Sequence, residues 1–598
     1  MSESSCCSWK KAAAAVIGVA GTIAILGILT VYLVRANRPA AVGTARGDER
    51  KKIWTELQNA NADTLNNYGI VRADNGTYRL PVAKAMEVLV AEWKDGNAAG
   101  RAKMLQRLEN SQKAVSYEKG RRPRMSQSCC TTPTEVPADV SGRVPVLFLF
   151  GSAILWLLAG LALALLASAK LHLPGLLAGC EWFTYGRIEA AGRDALIYGF
   201  ASQLGLGVAF WLLTRTGSAK LVAPGFSLIA ILFWNLVLTL GVVGILFEGS
   251  NSLPLLEMPK QLAPTLGLAI GVLVLVGFAT FAKRAAGSST PSQWYIVSAL
   301  LAFPVLYLTV QVTLLFMPTR GVAQAIIAGW FGQGILLLWL APLALASLYH
   351  FIPESTGGAL RSPALAPLGF WSWVIFASWT GAASLVGGPL PAWVITVSVA
   401  AGVLLLIPVT LISLNLTIGG PAKCTTTKYF AMLAGASFTL GGVTLALTSP
   451  RCAQAVLHFT QFNVALRELF LFGFVGPALF AAVYSIVPKL AGREFPCRLS
   501  PKGHFALTVL GLGLLLLASG VGGWKQGWML ANPKADFATV SASLKPWLCL
   551  HTLGLAVFAF GQLALVANCA WLIFECLKPL RQPAMALFTE TQPLTAGK

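Results

Sequence analysis

The segment 144–169 reads VPVLFLFGSAILWLLAGLALALLASA and contains no charged residue. An α-helix needs about 20 apolar residues to cross the hydrocarbon core of a bilayer, because it rises about 1.5 Å per residue through about 30 Å. Runs of this kind recur almost without a break as far as Phe574. Since lipid offers no hydrogen-bond partner to an open backbone, such runs must be helices that satisfy their own amides. The sequence therefore predicts an all-α membrane protein with many crossings.

The composition of the whole chain agrees with a membrane location. Of its 598 residues, 56% are hydrophobic and 12% are charged, and the mean hydropathy is +0.67. A soluble domain carries about a quarter charged residues. The formal net charge is +21, but the basic residues fall mostly between the apolar runs, where Lys and Arg orient helices and meet anionic headgroups. We therefore expect a lipid bilayer around the chain and no nucleic-acid partner.

The chain divides into four predicted regions. In order, they are an amino-terminal membrane anchor helix (1–34), a soluble polar segment with a linker (35–143), a transmembrane core (144–578) and a polar tail (579–598). The anchor consists of an apolar helix over about 12–34, which lacks the small-residue cleavage site of a signal peptide.

The polar segment contains a few local signals. Residues 77–80 alternate like a short strand, and 81–90 open with proline and then place apolar residues at helical spacing. The stretch 119–138 is rich in Pro, Ser, Thr and Arg and is typical of a linker. Cys6-Cys7 and Cys129-Cys130 are adjacent pairs, too cramped for zinc-type CxxC spacing, and no CxxCH motif for c-type haem occurs.

Twelve crossings are predicted in the core, about thirteen in the chain. Their approximate limits are 144–169, 194–214, 225–248, 263–282, 294–316, 326–352, 367–386, 390–417, 427–447, 456–487, 504–522 and 547–576. If they simply alternate, one side collects Arg215, Lys220, Lys283, Arg284, Lys423, Lys428, Lys489, Arg493, Arg498 and Lys502. The positive-inside rule places that side and the segment 35–143 in the cytoplasm. One miscounted crossing would reverse the location of 35–143.

Three blocks of sequence in the core carry a family resemblance. The first consists of YGR (185–187) and IYGF (197–200). The second consists of YHFIP (349–353), LGFW (368–371), WTG (379–381), GPLPAW (388–393) and IP (407–408). The third consists of HFT (458–460), GFVG (473–476) and YSIVPKLAG (484–492). In order and spacing they resemble the cbb3-type cytochrome c oxidase subunit I, a member of the haem–copper oxidase superfamily, and the segment before Arg143 lies outside the resemblance.

The resemblance implies a fold, an activity and a set of cofactors. The fold would be a subunit I-like bundle of about twelve helices, and the activity would be oxygen reduction by cytochrome c with proton translocation. Two b-type haems and one copper would be held by six histidines, whose neutral imidazoles suit iron and copper. The chain has five histidines in all, at positions 172, 350, 458, 504 and 551. Five imidazoles cannot fill six places.

Aligned on the quoted blocks, the ligand positions of the family hold no histidine in this chain. The six positions fall on Gly192, Gln333, Ala383, Ser384, Leu466 and Glu468, and the family's tyrosine falls on Ala377. The five histidines present lie near predicted helix ends or span boundaries, so we expect them to be interfacial or capping residues. The resemblance thus implies no bound haem or copper, and no catalytic, cofactor-binding or metal-binding residue.

Polar side chains nevertheless stand in or beside the apolar runs, at Arg193, Asp194, Gln461, Asn463, Arg467 and Glu468. An ionisable group inside a membrane is costly unless it is paired or faces a cavity. One hypothesis is that Arg193 or Asp194 pairs with Glu468 or Arg467 and bridges two helices. The alternative places Arg193 and Asp194 at the headgroup level. We expect Gln333, Gln461 and Asn463 to form hydrogen bonds between helices.

Three functions remain open at this point. The first is a non-catalytic, structural or assembly component of a respiratory electron-transport complex, a pseudoenzyme with other respiratory subunits and c-type cytochromes as partners. The second is an active oxidase or nitric oxide reductase subunit with unusual ligands. The third is a transporter or sensor that reuses the emptied cavity. In each case the expected location is the inner membrane of a bacterium.

Overall fold

The computed structural model describes the core almost without interruption and the amino-terminal segment in short stretches. The described residues are 51–52, 54–56, 58–59, 62–63, 65–72, 77–79, 81–93, 105–106 and 137–589, the last range without 252, 286–288, 318, 418–424 and 496–498. The predicted anchor helix, both adjacent cysteine pairs and nearly all of the predicted linker lie outside the described residues. The chain forms two compact units, Met1–Thr131 and Thr132–Lys598.

The first unit contains a small hairpin followed by a helix. Strand β1 (Gly69–Arg72) pairs antiparallel with strand β2 (Thr77–Arg79), and helix α1 covers Val82–Trp93. Pro81 directly precedes α1, where its missing amide hydrogen removes no helical bond, and its carbonyl accepts the amide of Ala85 at 2.9 Å. The strand predicted over 77–80 and the helix predicted after Pro81 are both confirmed.

The second unit is helical throughout its described length. Its α-helices are α2 (Pro137–His172), α3 (Tyr185–Asp194), α4 (Ser202–Gly217), α5 (Pro224–Glu248), α6 (Ala263–Ala282), α7 (Pro291–Val310), α8 (Val322–Gly334), α9 (Ala341–Thr356), α10 (Leu365–Ala377), α11 (Ala392–Leu404), α12 (Leu406–Leu416), α13 (Thr426–Thr448), α14 (Arg451–Leu457), α15 (Gln461–Glu468), α16 (Gly476–Ala491), α17 (Leu499–Leu516), α18 (Gly522–Leu530) and α19 (Phe537–Thr589). Five π-helical turns join consecutive helices or extend one, at Ala195–Ala201, Gln311–Phe316, Ile335–Leu340, Leu469–Val475 and Leu517–Val521. Short 3-10 turns cover Glu181–Phe183 and Thr380–Leu385.

Eleven stretches of the described chain are helical, long and apolar enough to cross a membrane. They are Ser141–His172, Tyr185–Gly217, Pro224–Glu248, Ala263–Ala282, Pro291–Phe316, Val322–Thr356, Ala392–Leu416, Thr426–Thr448, Gln461–Ala491, Ser500–Leu530 and Phe537–Leu572. The chain is thus an integral membrane protein built as an all-α bundle, as the apolar runs predict.

The crossing predicted at 367–386 does not form one continuous helix. Helix α10 ends at Ala377, and the 3-10 turn Thr380–Leu385 follows it. Within that turn, Gly381 lies directly on the backbone of Trp330 in α8, where a Cβ atom would collide with it. A hydropathy pattern does not register such a contact between backbones, so it predicted a straight helix there.

Two other predicted boundaries also shift. Helix α2 begins at Pro137 rather than near 144, and proline is well suited to the first position of a helix. At the other end, α19 continues to Thr589 and so includes much of the predicted polar tail. The residues 584–588 read AMALF and include good helix formers, which favour this continuation.

Three spans form the centre of the bundle. In Tyr185–Gly217, Val322–Thr356 and Gln461–Ala491, the most apolar windows are 100%, 89% and 83% buried by protein, against 33–44% in the other spans. Their side chains therefore pack mainly against other helices rather than against lipid. Each of the three contains a π-helical turn, a feature often found at functional sites. Any internal site of this unit must be built largely from these spans.

Close packing of α17 on α19 yields a stability prediction. A Cβ atom added to Gly511 would lie 2.6 Å from the amide nitrogen of Phe558, whereas one added to Gly513 would have no atom within 4 Å. We expect Gly511→Ala to lower the free energy of unfolding by about 1–3 kcal/mol through overpacking. Thermal unfolding of the protein in detergent measures this, with Gly513→Ala as the matched control on the same helix. Equal melting temperatures for the two variants would contradict the packing.

Candidate functional site

A cavity of about 750 Å3 lies among the central spans. Four of the six positions that the family resemblance assigns to metal ligands line it, namely Gln333, Ala383, Ser384 and Leu466. Arg193, Gln461, Asn463 and Arg467 line it as well. The structure thus brings together, around one space, residues that lie far apart in the sequence, but it does not bring Gly192, Ala377, Asp194 or Glu468 to that lining.

Two glycines allow the segment that carries Ala383 and Ser384 to reach the cavity. A Cβ atom on Gly329 of α8 would lie 2.6 Å from the carbonyl oxygen of Gly381 in the 3-10 turn. Since neither residue has a side chain, the turn packs directly against the backbone of α8. Gln333 follows Gly329 by one helical turn on the same helix and therefore faces the same space.

Gly192 is packed against helix α2. A Cβ atom there would lie 3.2 Å from the Cβ of Leu163 and 3.3 Å from the amide nitrogen of Ala164. Helix α2 therefore packs tightly against Gly192, and a side chain at this position requires its neighbours to move. Ala377 is buried at the end of α10, 2% exposed.

Glu468 belongs to a hydrogen-bonded network that joins three helices. Its Oε1 lies 2.6 Å from Nε2 of His551 in α19, and Nδ1 of His551 lies 2.7 Å from the hydroxyl of Ser168 in α2. Ser168 contacts the hydroxyl of Thr552 at 2.8 Å, and Thr552 contacts Nε2 of His172 at 2.9 Å. We call these five residues the Glu468 network. The network satisfies one carboxylate oxygen inside the membrane and ties α15, α19 and α2 together.

The expectation that all five histidines are interfacial or capping residues is wrong for two of them. His551 is part of the Glu468 network, and His504 is fully buried between the hydroxyl of Tyr484, at 3.0 Å, and Oε1 of Gln562, at 2.9 Å. Both histidines lie inside helices, and the polar side chains that they contact belong to other helices. Periodicity in one helix does not reveal such partners.

Arg193 pairs with carboxylates that the sequence hypothesis did not assign to it. It contacts Glu189 at 2.7 Å, one turn earlier on α3, and Glu257 at 2.6 Å, in the loop before α6. Because Glu468 binds His551 instead, the predicted bridge from Arg193 or Asp194 to Glu468 or Arg467 is wrong. The alternative, in which Arg193 and Asp194 are wetted at the headgroup level, is wrong about the wetting of Asp194, which is fully buried in the protein.

Glu257 is a functional-site candidate that the sequence analysis missed. Its side chain is 2% exposed, and burial together with the nearby Asp194 carboxylate raises the pKa of Glu257 well above its usual range. The only hint in the sequence is one acidic residue inside the otherwise apolar loop stretch 253–258, which reads LPLLEM. Arg193, Glu189, Asp194 and Glu257 together form a compact charged group, which we call the Arg193 cluster.

The amides expected to connect helices do so only in part. The backbone amide of Gln461 donates to Oε1 of Gln526 in α18 at 2.8 Å, so this contact uses the backbone of Gln461 and not its side chain. Asn463 lies 3.5 Å from Nδ1 of His458, five residues earlier in the chain. In the described part of the chain, the side chain of Gln333 forms no hydrogen bond between helices.

The donors around the cavity do not fit two haems and a copper. The lining offers one imidazole, that of His458, together with amides, hydroxyls and two guanidinium groups. Guanidinium groups are permanently cationic and are not ligands of iron or copper. No three His, Cys, Asp or Glu side chains among the described residues lie close enough together to hold a metal ion. We therefore derive no chemical step through haem or copper.

Comparison with known sequences identifies relatives over most of the core. The family described as "Cytochrome C and Quinol oxidase polypeptide I" matches residues 144–557. The cbb3-type cytochrome c oxidase subunit CcoN1 of Stutzerimonas stutzeri is 23% identical over 453 residues, which is 72% of this chain and 95% of that protein. A cytochrome c oxidase subunit 1 homolog of Bradyrhizobium diazoefficiens is 24% identical over 460 residues, 72% of this chain and 83% of that protein.

Comparison with solved structures supports the same fold. A haem–copper terminal oxidase dimer determined by cryo-electron microscopy superposes with a TM-score of 0.56. The match covers 72% of this chain and 84% of the other, at 14% sequence identity. At this identity the likeness concerns the arrangement of helices, and it says nothing about the chemistry of the cavity.

The Arg193 cluster yields a second stability prediction. Arg193→Gln would leave the buried Glu257 and Asp194 without a cation, and we expect a loss of about 3–5 kcal/mol in the free energy of unfolding. The double variant Arg193→Gln/Glu257→Gln should recover part of this loss, because it also removes the Glu257 carboxylate that Arg193 would otherwise neutralise. Glu189, whose side chain is 32% exposed, provides the control: Glu189→Gln should cost less than about 1 kcal/mol. Thermal unfolding would refute the assignment if Arg193→Gln and Glu189→Gln were equally mild.

Proposed function

The chain belongs to the cytochrome c and quinol oxidase polypeptide I family, and from this membership we propose that it is a non-catalytic, subunit I-like component of a respiratory electron-transport complex. In this role it contributes to the structure or assembly of the complex and carries neither haem nor copper. It is a membrane protein whose relatives are bacterial oxidase subunits, and we place it in the inner membrane of a bacterium.

The observation that carries the proposal is the state of the six ligand positions. Gln333, Ala383, Ser384 and Leu466 surround the cavity without a single imidazole among them. The other two positions are used by the protein itself. Gly192 is filled by the packing of α2, and Glu468 is engaged by His551. These contacts support the proposal, because they join the central helices to one another directly.

The partners we propose are other subunits of an oxidase-type complex, with c-type cytochromes among them. Two features support an association of this kind. The likeness extends over 95% of the length of an oxidase subunit, and so includes the outer helices of the bundle. The spans outside the centre also present many large apolar side chains, such as Trp393 and Phe560, to their surroundings.

An absorption spectrum and a metal analysis of the full chain purified in detergent test the absence of cofactors. We expect no Soret band, with iron and copper each well below one per chain, because the cavity lacks the imidazoles that would retain them. A relative with all of its histidines, such as a cbb3-type subunit I purified in the same way, is the positive control. Stoichiometric haem with a six-coordinate low-spin spectrum would contradict the proposal.

Affinity purification of the tagged full chain from its native membrane tests the association. We expect respiratory-complex subunits to be enriched over the background obtained with an unrelated polytopic membrane protein that carries the same tag. Mass spectrometry identifies them. Recovery of the chain in stoichiometric amounts with no respiratory subunit would contradict the structural or assembly role.

A further inference from the structure

The cavity has a charged end that the proposed function does not use. In its lining the charged side chains are Arg193 and Arg467, both cationic. The charge of Arg193 is already matched by Glu189 and Glu257. Arg467, in contrast, forms no hydrogen bond or ion pair with any described residue. The lining therefore presents one guanidinium group that has no direct ion pair, with Glu189 and Glu468 as its favourable electrostatic neighbours.

A guanidinium group that has no direct ion pair inside a membrane span needs an anion or water as its partner. Arg467 lies in the span Gln461–Ala491, where a charged side chain costs several kcal/mol unless it pairs or faces a polar space. Gln461 and Asn463 line the same cavity from the same helix and carry amide donors. Together these groups match a single carboxylate, which accepts charge-assisted hydrogen bonds from arginine and ordinary bonds from amides.

The other end of the cavity is apolar and aromatic. Trp373, Phe438 and Phe474 all line it and are at most 4% exposed. Their rings are in mutual contact, with centroids 5.5 Å apart for Trp373 and Phe438 and 5.0 Å apart for Phe438 and Phe474. Phe474 follows Arg467 by two helical turns, which separates the aromatic wall from the guanidinium by about 10 Å along the helix axis. The cavity thus separates a cationic end from an apolar one.

A regularity of the backbone marks the same residues. The π-helical turns of the three central spans begin at Ala195, Ile335 and Leu469, in each case two residues after a polar residue of the cavity lining. Those residues are Arg193, Gln333 and Arg467. A π turn is rare and is frequently found at functional sites. The three turns are thus an observation, independent of charge, that points to the cavity as a binding site.

We propose that this cavity binds an amphipathic monoanion, a long-chain carboxylate of the fatty acid class. Its carboxylate pairs with Arg467, and its apolar chain lies along Trp373, Phe438 and Phe474. The volume of about 750 Å3 is within the range of small-molecule sites, about 300–1,000 Å3. Arg467, the one guanidinium without a direct ion pair, favours a ligand with one negative charge. The aromatic end of the cavity disfavours a purely hydrophilic anion.

Native mass spectrometry of the full chain released from detergent tests the binding. Palmitate is the probe, and hexadecanol, which has the same chain without the charge, is its neutral counterpart. We expect one palmitate per chain and binding of hexadecanol weaker by about tenfold or more, since one charge-assisted hydrogen-bond pair corresponds to at least that factor. Equal binding of the two probes would overturn the proposal. Displacement of palmitate by millimolar inorganic phosphate would overturn the proposal that the apolar chain contributes to binding.

Variants separate the charge from the shape of the cavity. Arg467→Gln should weaken palmitate binding by about tenfold or more, whereas Arg467→Lys should retain most of it. Arg320→Gln is the matched control, because Arg320 is exposed in a loop and does not line the cavity. Unchanged binding by folded Arg467→Gln would overturn the proposal.

A cavity-filling variant keeps the test decisive if Arg467→Gln fails to fold. Gly441 lines the cavity, and a Cβ atom there would meet Leu469 at 3.6 Å, an ordinary van der Waals distance. Gly441→Leu should therefore fold, occupy part of the cavity and weaken palmitate binding by about tenfold without altering any charge. A normal melting temperature together with undiminished binding in Gly441→Leu would place palmitate elsewhere and overturn the proposal. Metal content does not enter this readout, so its outcome is distinct from that of the proposed function.

Discussion

The absence of water inside the bilayer is the constraint on which the rest of this structure depends. Every backbone amide in the hydrocarbon region must find its partner within the protein, which makes the spans helical. The same constraint acts on side chains, because a buried charge without a partner costs several kcal/mol. Arg193 is therefore paired with Glu257 of a loop, and Glu468 is paired with His551 of another helix. The positions of these contacts determine which parts of the interior are packed and which remain open.

The six predicted ligand positions fall into two groups that differ in how closely the helices around them pack. Around Gly192 and Glu468 the helices are close together, and the Glu468 network supplies hydrogen bonds between α15, α19 and α2. Around Gln333, Ala383, Ser384 and Leu466 a cavity remains, with a cation at one end and an aromatic wall at the other. One space is thus closed by packing and the other remains open, and both proposals rest on this difference.

Sequence reasoning was reliable where a pattern is local and failed where a contact is distant. Runs of apolar residues predicted nearly all of the crossings, and the alternation at 77–80 predicted strand β2. The continuous helix predicted at 367–386 was wrong: the helix ends at Ala377, and Gly381 in the following turn packs on Trp330, some fifty residues away in the sequence. The partner of Arg193 was wrong because Glu257 lies in a loop, outside any helical period. His504 and His551 were misjudged because their partners belong to other helices.

By itself, the sequence determined that this is a helical membrane protein of the oxidase subunit I type, because hydropathy and ordered motifs are properties of a single chain read in order. Through the resemblance, it also predicts which residue types stand at the ligand positions of the family. Only the tertiary structure decided that Gly192 is packed against α2, that Glu468 binds His551, and that Arg467 faces a cavity without a partner. These are contacts between helices far apart in sequence, and their energies depend on distances of a few ångströms that no pattern along one helix contains.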